Sequence, residues 1–202
     1  MFTGIVEGTG ELKRITRKRG ISTLEIDLGS MRKGLKKGHS VCCEGVCLTA
    51  VRFRGDRMSV EVMQETLDCT NLGQLKAGDK INIERSLKLN SSLGGHFVFG
   101  HVDGQARLVS VKEEGDSRRY RFKVPVKLMR FITRKGSVSL NGVSLTVAAA
   151  GRGYFEICLI PHTLKATTLG TMKTGETVNI EIDMLARYSY KLLTGKEVDL
   201  VS

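Results

Sequence analysis

Two pairs of short polar side chains, Cys47 with Thr49 and Ser144 with Thr146, sit in the matching strings Gly-Val-Cys-Leu-Thr and Gly-Val-Ser-Leu-Thr. Side chains two apart on a strand point to one face. Each pair therefore aims a thiol or hydroxyl and a second hydroxyl in the same direction. Such a face can hold a planar polar heterocycle through its hydroxyls and through edge-strand backbone groups. Cys47 can act there as a nucleophile or as a polarisable contact. His101 adds the side chain best suited to moving protons near neutral pH. Near Ser144, Thr146 and a carboxylate such as Asp183, it could take a proton from a carbon acid or activate a nucleophile. Ser40, on an expected strand just upstream of Cys47, joins the candidate polar set. A plainer account fits the same residues: half-buried strand positions and a hydrogen-bonded structural histidine. Recurrence of the string beside Gly-x-Val loops shifts the reading toward one ligand pocket in each half.

The recurrence extends along the chain. The opening Met1-Phe2-Thr3-Gly4-Ile5-Val6-Glu7-Gly8 matches Phe97-Val98-Phe99-Gly100-His101-Val102-Asp103-Gly104 at a shift of 96, Gly4 to Gly100. Glu44–Ala50 matches Asn141–Val147 at a shift of 97, Thr49 to Thr146. Gln64–Glu84 then runs against Pro161–Glu181 without a gap, sharing Leu-Gly, Lys, Gly and Asn-Ile-Glu. Three blocks in one order mark a tandem duplication. Shared residues serve folding or a common ligand, and the differences assign roles. Copy two has His101 for Ile5, His162 for Glu65, Ser144 for Cys47 and Asp183 for Ser86.

The elements that must position these groups are short strands. In copy one, alternation predicts strands at Phe2–Val6, Gly10–Thr16, Ser22–Leu28, Ser40–Cys43, Val46–Phe53, Met58–Met63 and Lys80–Glu84, with Gly or Asp at most breaks. Gln64–Leu75 reads as a helical turn, and its counterpart begins at Pro161, which suits a first helical position. Six or seven strands of this length suggest a small closed antiparallel barrel, since closure removes exposed edges. Leu87–Gly95 reads as a linker, with His96 orienting the turn and His39 on the surface. After copy two, Asp183 is a plausible N-cap, Met184–Leu193 has helical spacing and Gly195 suits the position past the end. Leu185, Tyr188 and Leu192 share a face of this helix, which docks on its own barrel or joins copies of the chain. The expected units are residues 1–96, 97–183 and 184–202.

Composition narrows the class. Apolar runs are far shorter than the roughly 18 residues that span a bilayer, and the first residues belong to the repeat rather than to a signal peptide. A cytoplasmic protein without membrane contact is expected. Five cysteines with no C-x-x-C pair argue against a disulfide framework and a zinc site. The net charge of +11 would attract anions. Its Lys and Arg residues, including Arg17-Lys18-Arg19, cluster in expected loops without interleaved aromatics, so nucleic-acid binding is not expected.

Three features, the opening MFTGIVEGTGEL, the paired G-V-C-L-T and N-G-V-S-L-T-V blocks, and GGHFVFGHVDG, together resemble the riboflavin synthase family of the alpha-chain type, over essentially the whole chain. The resemblance implies an all-β fold: two tandem six-stranded antiparallel Greek-key barrels plus a C-terminal α-helix that holds a homotrimer. It implies a transferase that needs no metal and no redox cofactor. Two molecules of 6,7-dimethyl-8-ribityllumazine exchange a four-carbon unit, giving riboflavin and 5-amino-6-(D-ribitylamino)uracil. Lumazine synthase is raised as a protein partner. Lumazine proteins, which bind the chromophore without making flavin, are the alternative.

Carried onto this sequence, the resemblance places Gly4, Ile5, Val6, Cys47, Leu48, Thr49, Glu61, Val62, Met63, Gln64, Glu65 and Thr66 in a first pocket. It places Gly100, His101, Val102, Lys135, Ser144, Leu145, Thr146, Cys158, Leu159, Ile160, Pro161, His162 and Thr163 in a second. His101, Ser144, Cys47, Asp183 and Ser40 form the implied catalytic set, and Phe2 resembles a position near the site. In the chemistry this suggests, His101 or water deprotonates the acidic C7 methyl of one lumazine. Water, Cys47 or Ser144 adds at C7 of the other, the carbanion attacks, and elimination completes the transfer. The chain departs from the family at Glu44, where Asn is usual before Gly, and at Ala50, where Val is usual. Asn tolerates a left-handed turn better than Glu does.

Overall fold

Alternating burial is the force that shapes each half. In β2, for example, the buried positions fall on every second residue, Ser22, Leu24 and Ile26, and face one interior. The structure is a computed structural model that describes residues 1–18 and 20–196; Arg19 of the basic cluster and positions 197–202 of the expected tail lie outside the described residues. Copy one contributes β1 (Gly8–Arg17), β2 (Ile21–Asp27), β3 (Ser40–Cys43), β4 (Val46–Arg54), β5 (Arg57–Met63) and β6 (Lys80–Arg85). They close in the order β1-β2-β5-β4-β3-β6. Strands β3, β4 and β5 are consecutive neighbours and β6 returns beside β3, which is the Greek-key pattern.

Copy two repeats the barrel with β7 (Gly104–Glu114), β8 (Ser117–Lys123), β9 (Ser137–Leu140), β10 (Val143–Gly151), β11 (Tyr154–Leu159) and β12 (Thr177–Ile182), again closed and antiparallel. Short helices α1 (Gln64–Cys69), α2 (Val126–Met129) and α3 (Pro161–Ala166) bridge strands, and α4 (Met184–Thr194) follows the last one. Matching register shifts interrupt the ladders at Leu12/Arg14 and Leu108/Ser110, and at Ala50/Arg52 and Val147/Ala149. Such bulges bend a sheet enough for six strands to close. Each barrel is filled by its own apolar cluster, and in the second Phe122 stacks between Tyr120 and Phe155.

The expected strand Phe2–Val6 does not form. Phe2 makes an isolated bridge to Val98, its N–H donating to the Val98 carbonyl at 2.7 Å and the Val98 N–H returning at 3.1 Å. The two openings thus pair with each other across a local twofold relation, and neither adds a strand to a barrel. Phe2 is fully buried with Cys42 and Val98, which gives it a structural place.

The same relation governs the contact between the barrels. Both hairpin turns, Glu44-Gly45 and Asn141-Gly142, have positive φ at both residues, the two-residue turn whose twist fits the flanking strands. Glu44 adopts φ 49°, close to the 46° of Asn141, so its departure from Asn leaves the turn unchanged. The turns touch: a Cβ on Gly45 would lie 2.7 Å from the Gly142 nitrogen. Around them the hydrogen bonds come in matched pairs. Asn71 N–H donates to Asn179 Oδ1 and Thr168 N–H to Asn82 Oδ1, at 2.7 and 2.8 Å. Asn82 Nδ2 donates to the Asn141 carbonyl and Asn179 Nδ2 to the Glu44 carbonyl, at 3.0 and 2.7 Å. Buried amides satisfied in this reciprocal way fix one relative placement of the two halves.

Helix α4 is capped by Asp183, whose side chain accepts from Leu185 N–H at 3.0 Å, and ends at Gly195 with φ 68°. Ala186 and Tyr190 pack on the second barrel, Tyr190 edge-on to Phe131. The face formed by Leu185, Tyr188 and Leu192 is instead 60–85% exposed. Docking on its own barrel uses the other side of the helix.

Candidate active site

The segment that precedes each barrel packs against the opposite one. Gly4-Ile5-Val6 leads into β1, yet the Gly4 carbonyl accepts from Ser144 N–H of β10 at 2.8 Å, and Val6 packs on the second barrel's core. Gly100-His101-Val102 leads into β7, yet the Gly100 carbonyl accepts from Cys47 N–H of β4 at 3.0 Å, and Val102 packs on the first barrel's core. Glycine is required at both places. Each has φ 76°, and a Cβ would lie 2.5 Å from Ser144 Cβ in one case and 2.5 Å from the Cys47 nitrogen in the other.

This corrects the expected grouping of pocket residues. A cavity of about 630 Å³ on the first barrel, within the range of small-molecule sites, is lined by Cys47, Thr49, Glu61, Met63, Glu65 and Thr66 together with Gly100, His101 and Val102. Val62 and Leu48, both nearly buried, also wall it. Gly4, Ile5 and Val6 are not among the residues lining it; they belong with Ser144. Gln64 donates its amide to Asp68 Oδ1 at 2.8 Å along α1 and is not among the residues lining the cavity. His101, expected with Ser144, stands in the Cys47 cavity and is exposed there.

The second barrel repeats the strand register of the first. Ser144, Leu145 and Thr146 lie on β10 in the register that Cys47, Leu48 and Thr49 hold on β4. Cys158 is exposed at the end of β11, Leu159 is fully buried in the core, and Ile160, Pro161, His162 and Thr163 lead through α3. Lys135 has φ 67° where copy one has Gly38 at 88°, and both N–H groups donate to the equivalent strand at 2.8 Å, to Val147 and Ala50. A lysine held in a glycine conformation is a strained placement of the kind found at functional sites.

His96, expected to orient the turn, makes a second contact. Its Nδ1 lies 2.6 Å from Ser144 Oγ, while its backbone N–H donates to the Thr3 carbonyl. Burial holds its imidazole below the ordinary range, opposed by the nearby Asp183 carboxylate. A neutral imidazole against a hydroxyl can accept or return a proton. One histidine thus lies with each polar side chain, His101 lining the cavity with the thiol and His96 bonded to the hydroxyl. The position of His96, just before the second opening, was the available sequence signal.

Two more residues, shared by the repeat within Asn-Ile-Glu, hold the openings. Glu84 accepts from the N–H groups of Thr3 and Gly4 at 2.7 and 3.0 Å, and Glu181 from those of Phe99 and Gly100 at 2.7 and 2.8 Å. Burial pushes both carboxyls up, Glu181 to about 7, against the lowering effect of those amides. Ser40 pairs with Thr49 across the hairpin, and its carbonyl accepts from Ser86 Oγ at 2.6 Å. Burial also raises the thiols of Cys42 and Cys43, which stay neutral in the core. Cys47 is half-buried and faces the cavity. Among the described residues, no group of three His, Cys, Asp or Glu side chains is placed to hold a metal ion.

Comparison with known proteins agrees with this architecture. The lumazine binding domain family matches twice, over residues 3–86 and 99–183. The riboflavin synthase of Brucella abortus is 44% identical over 197 residues, covering 95% of this chain and 98% of that protein. That of Escherichia coli is 43% identical over 185 residues, covering 91% and 87%. Among solved structures, LumP complexed with 6,7-dimethyl-8-(1'-D-ribityl) lumazine superposes with a TM-score of 0.82 at 27% identity, over 90% of this chain and 99% of that one. With two lumazine-binding domains and such relatives along nearly its whole length, the chain belongs to the riboflavin synthase family.

Proposed function

We propose that the chain converts two molecules of 6,7-dimethyl-8-ribityllumazine into riboflavin and 5-amino-6-(D-ribitylamino)uracil, with one molecule in each kind of seat. The observation that carries this is the pair of matched hairpins, alike in backbone register and unlike in their polar side chains. A reaction between two copies of one substrate needs two sites of similar shape that treat the copies differently. Holding the pair in reacting geometry supplies much of the rate.

The residues divide as follows. Thr49 and Thr146, with the Gly100 and Gly4 loops, orient the heterocycles. In the Cys47 seat, His101 or water takes a proton from the C7 methyl, whose carbanion delocalises into the ring. In the Ser144 seat, a water, or the Ser144 hydroxyl relieved of its proton by His96, adds at C7. The carbanion attacks the second ring, a second carbon–carbon bond closes at C7 as the added nucleophile leaves, and cleavage of the two carbon–nitrogen bonds to the transferred unit releases the pyrimidine with both of its nitrogens. Asp183, near His96, favours the imidazolium that forms. The assignment of deprotonation to one seat and addition to the other follows the two histidines, and it can be inverted without altering the bonds made and broken.

The Cys47 seat of one copy faces the Ser144 seat of another within a homotrimer. The exposed apolar face of α4 supports assembly, because Leu185, Tyr188 and Leu192 would otherwise stay in water. A cytoplasmic location fits a small-molecule biosynthetic role. Among the described residues no helix is long and apolar enough to cross a membrane. Contact with lumazine synthase, which would supply the substrate, is the remaining partner proposed.

A second reading has a specific observation behind it, the likeness to LumP structures that hold lumazine, riboflavin or flavin mononucleotide. Incubation with the lumazine separates the two. An enzyme accumulates riboflavin over many turnovers, whereas a chromophore carrier stops at a stoichiometric fluorescent complex.

A further inference from the structure

We infer that Glu84 and Glu181 are crossed positioning residues, each held in one barrel and each fixing the loop that completes the ligand seat of the other. This rests on the two seats proposed above.

The geometry is matched on both sides. Glu181 stands on β12 of the second barrel, 3% exposed, and its two oxygens accept from the successive amides of Phe99 and Gly100. The next residue is His101, and the Gly100 carbonyl is anchored by Cys47 of the first barrel. Glu84 stands on β6 of the first barrel, 5% exposed, and takes the amides of Thr3 and Gly4 and the Thr3 hydroxyl. The Gly4 carbonyl is anchored by Ser144 of the second barrel. Each opening is therefore gripped by a carboxylate from the barrel it enters and by a strand N–H from the barrel it serves. Two successive backbone amides around one carboxylate form a concave anion cradle. Burying the charge is tolerable only while those amides stay in place, so the carboxylate and the loop hold one another. Around Glu181 the other charged neighbours are Asp103, tied to Arg187 and to the Ile182 N–H, and His101.

A role confined to fold stability would weaken the barrel that contains the carboxylate. A crossed role weakens the opposite seat, and two cysteines report on this separately. Cys47 lines the first seat, and Cys158 occupies the repeat position of Glu61 on β11 of the second. Iodoacetamide labelling of full-length protein, located by mass spectrometry with and without riboflavin, gives the occupancy of each seat. For Glu181→Gln, which keeps the shape and loses one acceptor, we expect protection of Cys47 to need about tenfold more riboflavin, with Cys158 protected as before. Glu84→Gln should do the reverse. Turnover of the lumazine falls in both variants, and Glu181→Asp, which keeps both oxygens, recovers part of it.

Loss of protection in the carboxylate's own barrel, equal loss in both, or no change overturns the proposal. Absence of riboflavin protection at both cysteines in the unsubstituted protein refutes the seats themselves, a failure visible before any variant is made. If Glu181→Gln does not fold, hydrogen exchange of the unsubstituted protein decides: the amides of Phe99 and Gly100 must exchange as slowly as strand amides, and rapid exchange overturns the crossed grip.

Discussion

Replacing Glu44 by Asn should stabilise the protein at alkaline pH and do so less at acidic pH. Glu44 is 2% exposed at the joint between the barrels, where its counterpart across the local twofold is Asn141. Its Oε1 accepts from Asn82 N–H at 2.6 Å and from Thr168 Oγ1 at 3.1 Å, as Asn141 Oδ1 accepts from Asn179 N–H at 2.7 Å and Asn71 Nδ2 at 3.2 Å. The asparagine needs no charge to do this, and burial raises the Glu44 carboxyl from 4.5 to about 7. A folded value above the unfolded one means that the fold prefers the protonated acid. Stability is therefore fully present below pH 4.5 and declines as pH rises through about 7. The interval corresponds to about 3 kcal/mol between the protonation states. Asn at 44 would also suit the left-handed turn, so recovery of about 1–3 kcal/mol at pH 8 is expected. For a chain of this size that amounts to a rise of roughly 2–12 °C in Tm. Calorimetry of both proteins at pH 5 and pH 8 provides the check. Glu84 and Glu181 are common to both proteins and cancel in the difference. A Tm difference that is the same at both pH values, or a variant less stable at pH 8, would refute the assignment of a buried, ionising Glu44.

Other perturbations act on the seats and the assembly. Gly100→Ala puts a Cβ 2.5 Å from the Cys47 nitrogen at φ 76°, at a strain of about 1–3 kcal/mol, and titration should show weakened riboflavin binding. His96→Asn removes the imidazole beside Ser144 and should lower kcat at least about tenfold with little change in Tm; unchanged turnover would make its contact structural. Leu185→Ser with Leu192→Ser should shift the protein from the proposed trimer to smaller species in sedimentation, while unchanged sedimentation would remove α4 from the proposed assembly.

Much of this molecule was legible in its residues because the duplication preserved what the backbone needs. Glycine recurs at key left-handed positions, Gly4 and Gly100, Gly45 and Gly142, and Gly78 and Gly175, and strand alternation reports burial directly. The hairpins, the α1 and α3 turns, and the Asp183 cap follow from such local signals. The pairing of openings with seats does not. Gly4-Ile5-Val6 and Gly100-His101-Val102 share one pattern, so packing on the same half or on the opposite half satisfies the sequence equally well. Tertiary contacts decide it: Gly4 with Ser144, Gly100 with Cys47 and the bridge between Phe2 and Val98. His101 moved to the thiol seat as a result. Glu84 and Glu181 are visible within the shared Asn-Ile-Glu, but a polar residue recurring in a strand does not reveal which backbone amides it accepts from. The contact of His96 is hidden from the sequence for a similar reason, since its partner Ser144 lies 48 residues away.

The most direct test is a crystal structure of the protein with riboflavin bound. The ring in the first seat should contact Cys47 or Thr49 from one half of the chain and Gly100, His101 or Val102 from the other. A ring held between Cys47 and the Gly4–Val6 segment, or bound away from both seats, would contradict the crossed architecture on which the proposed chemistry depends.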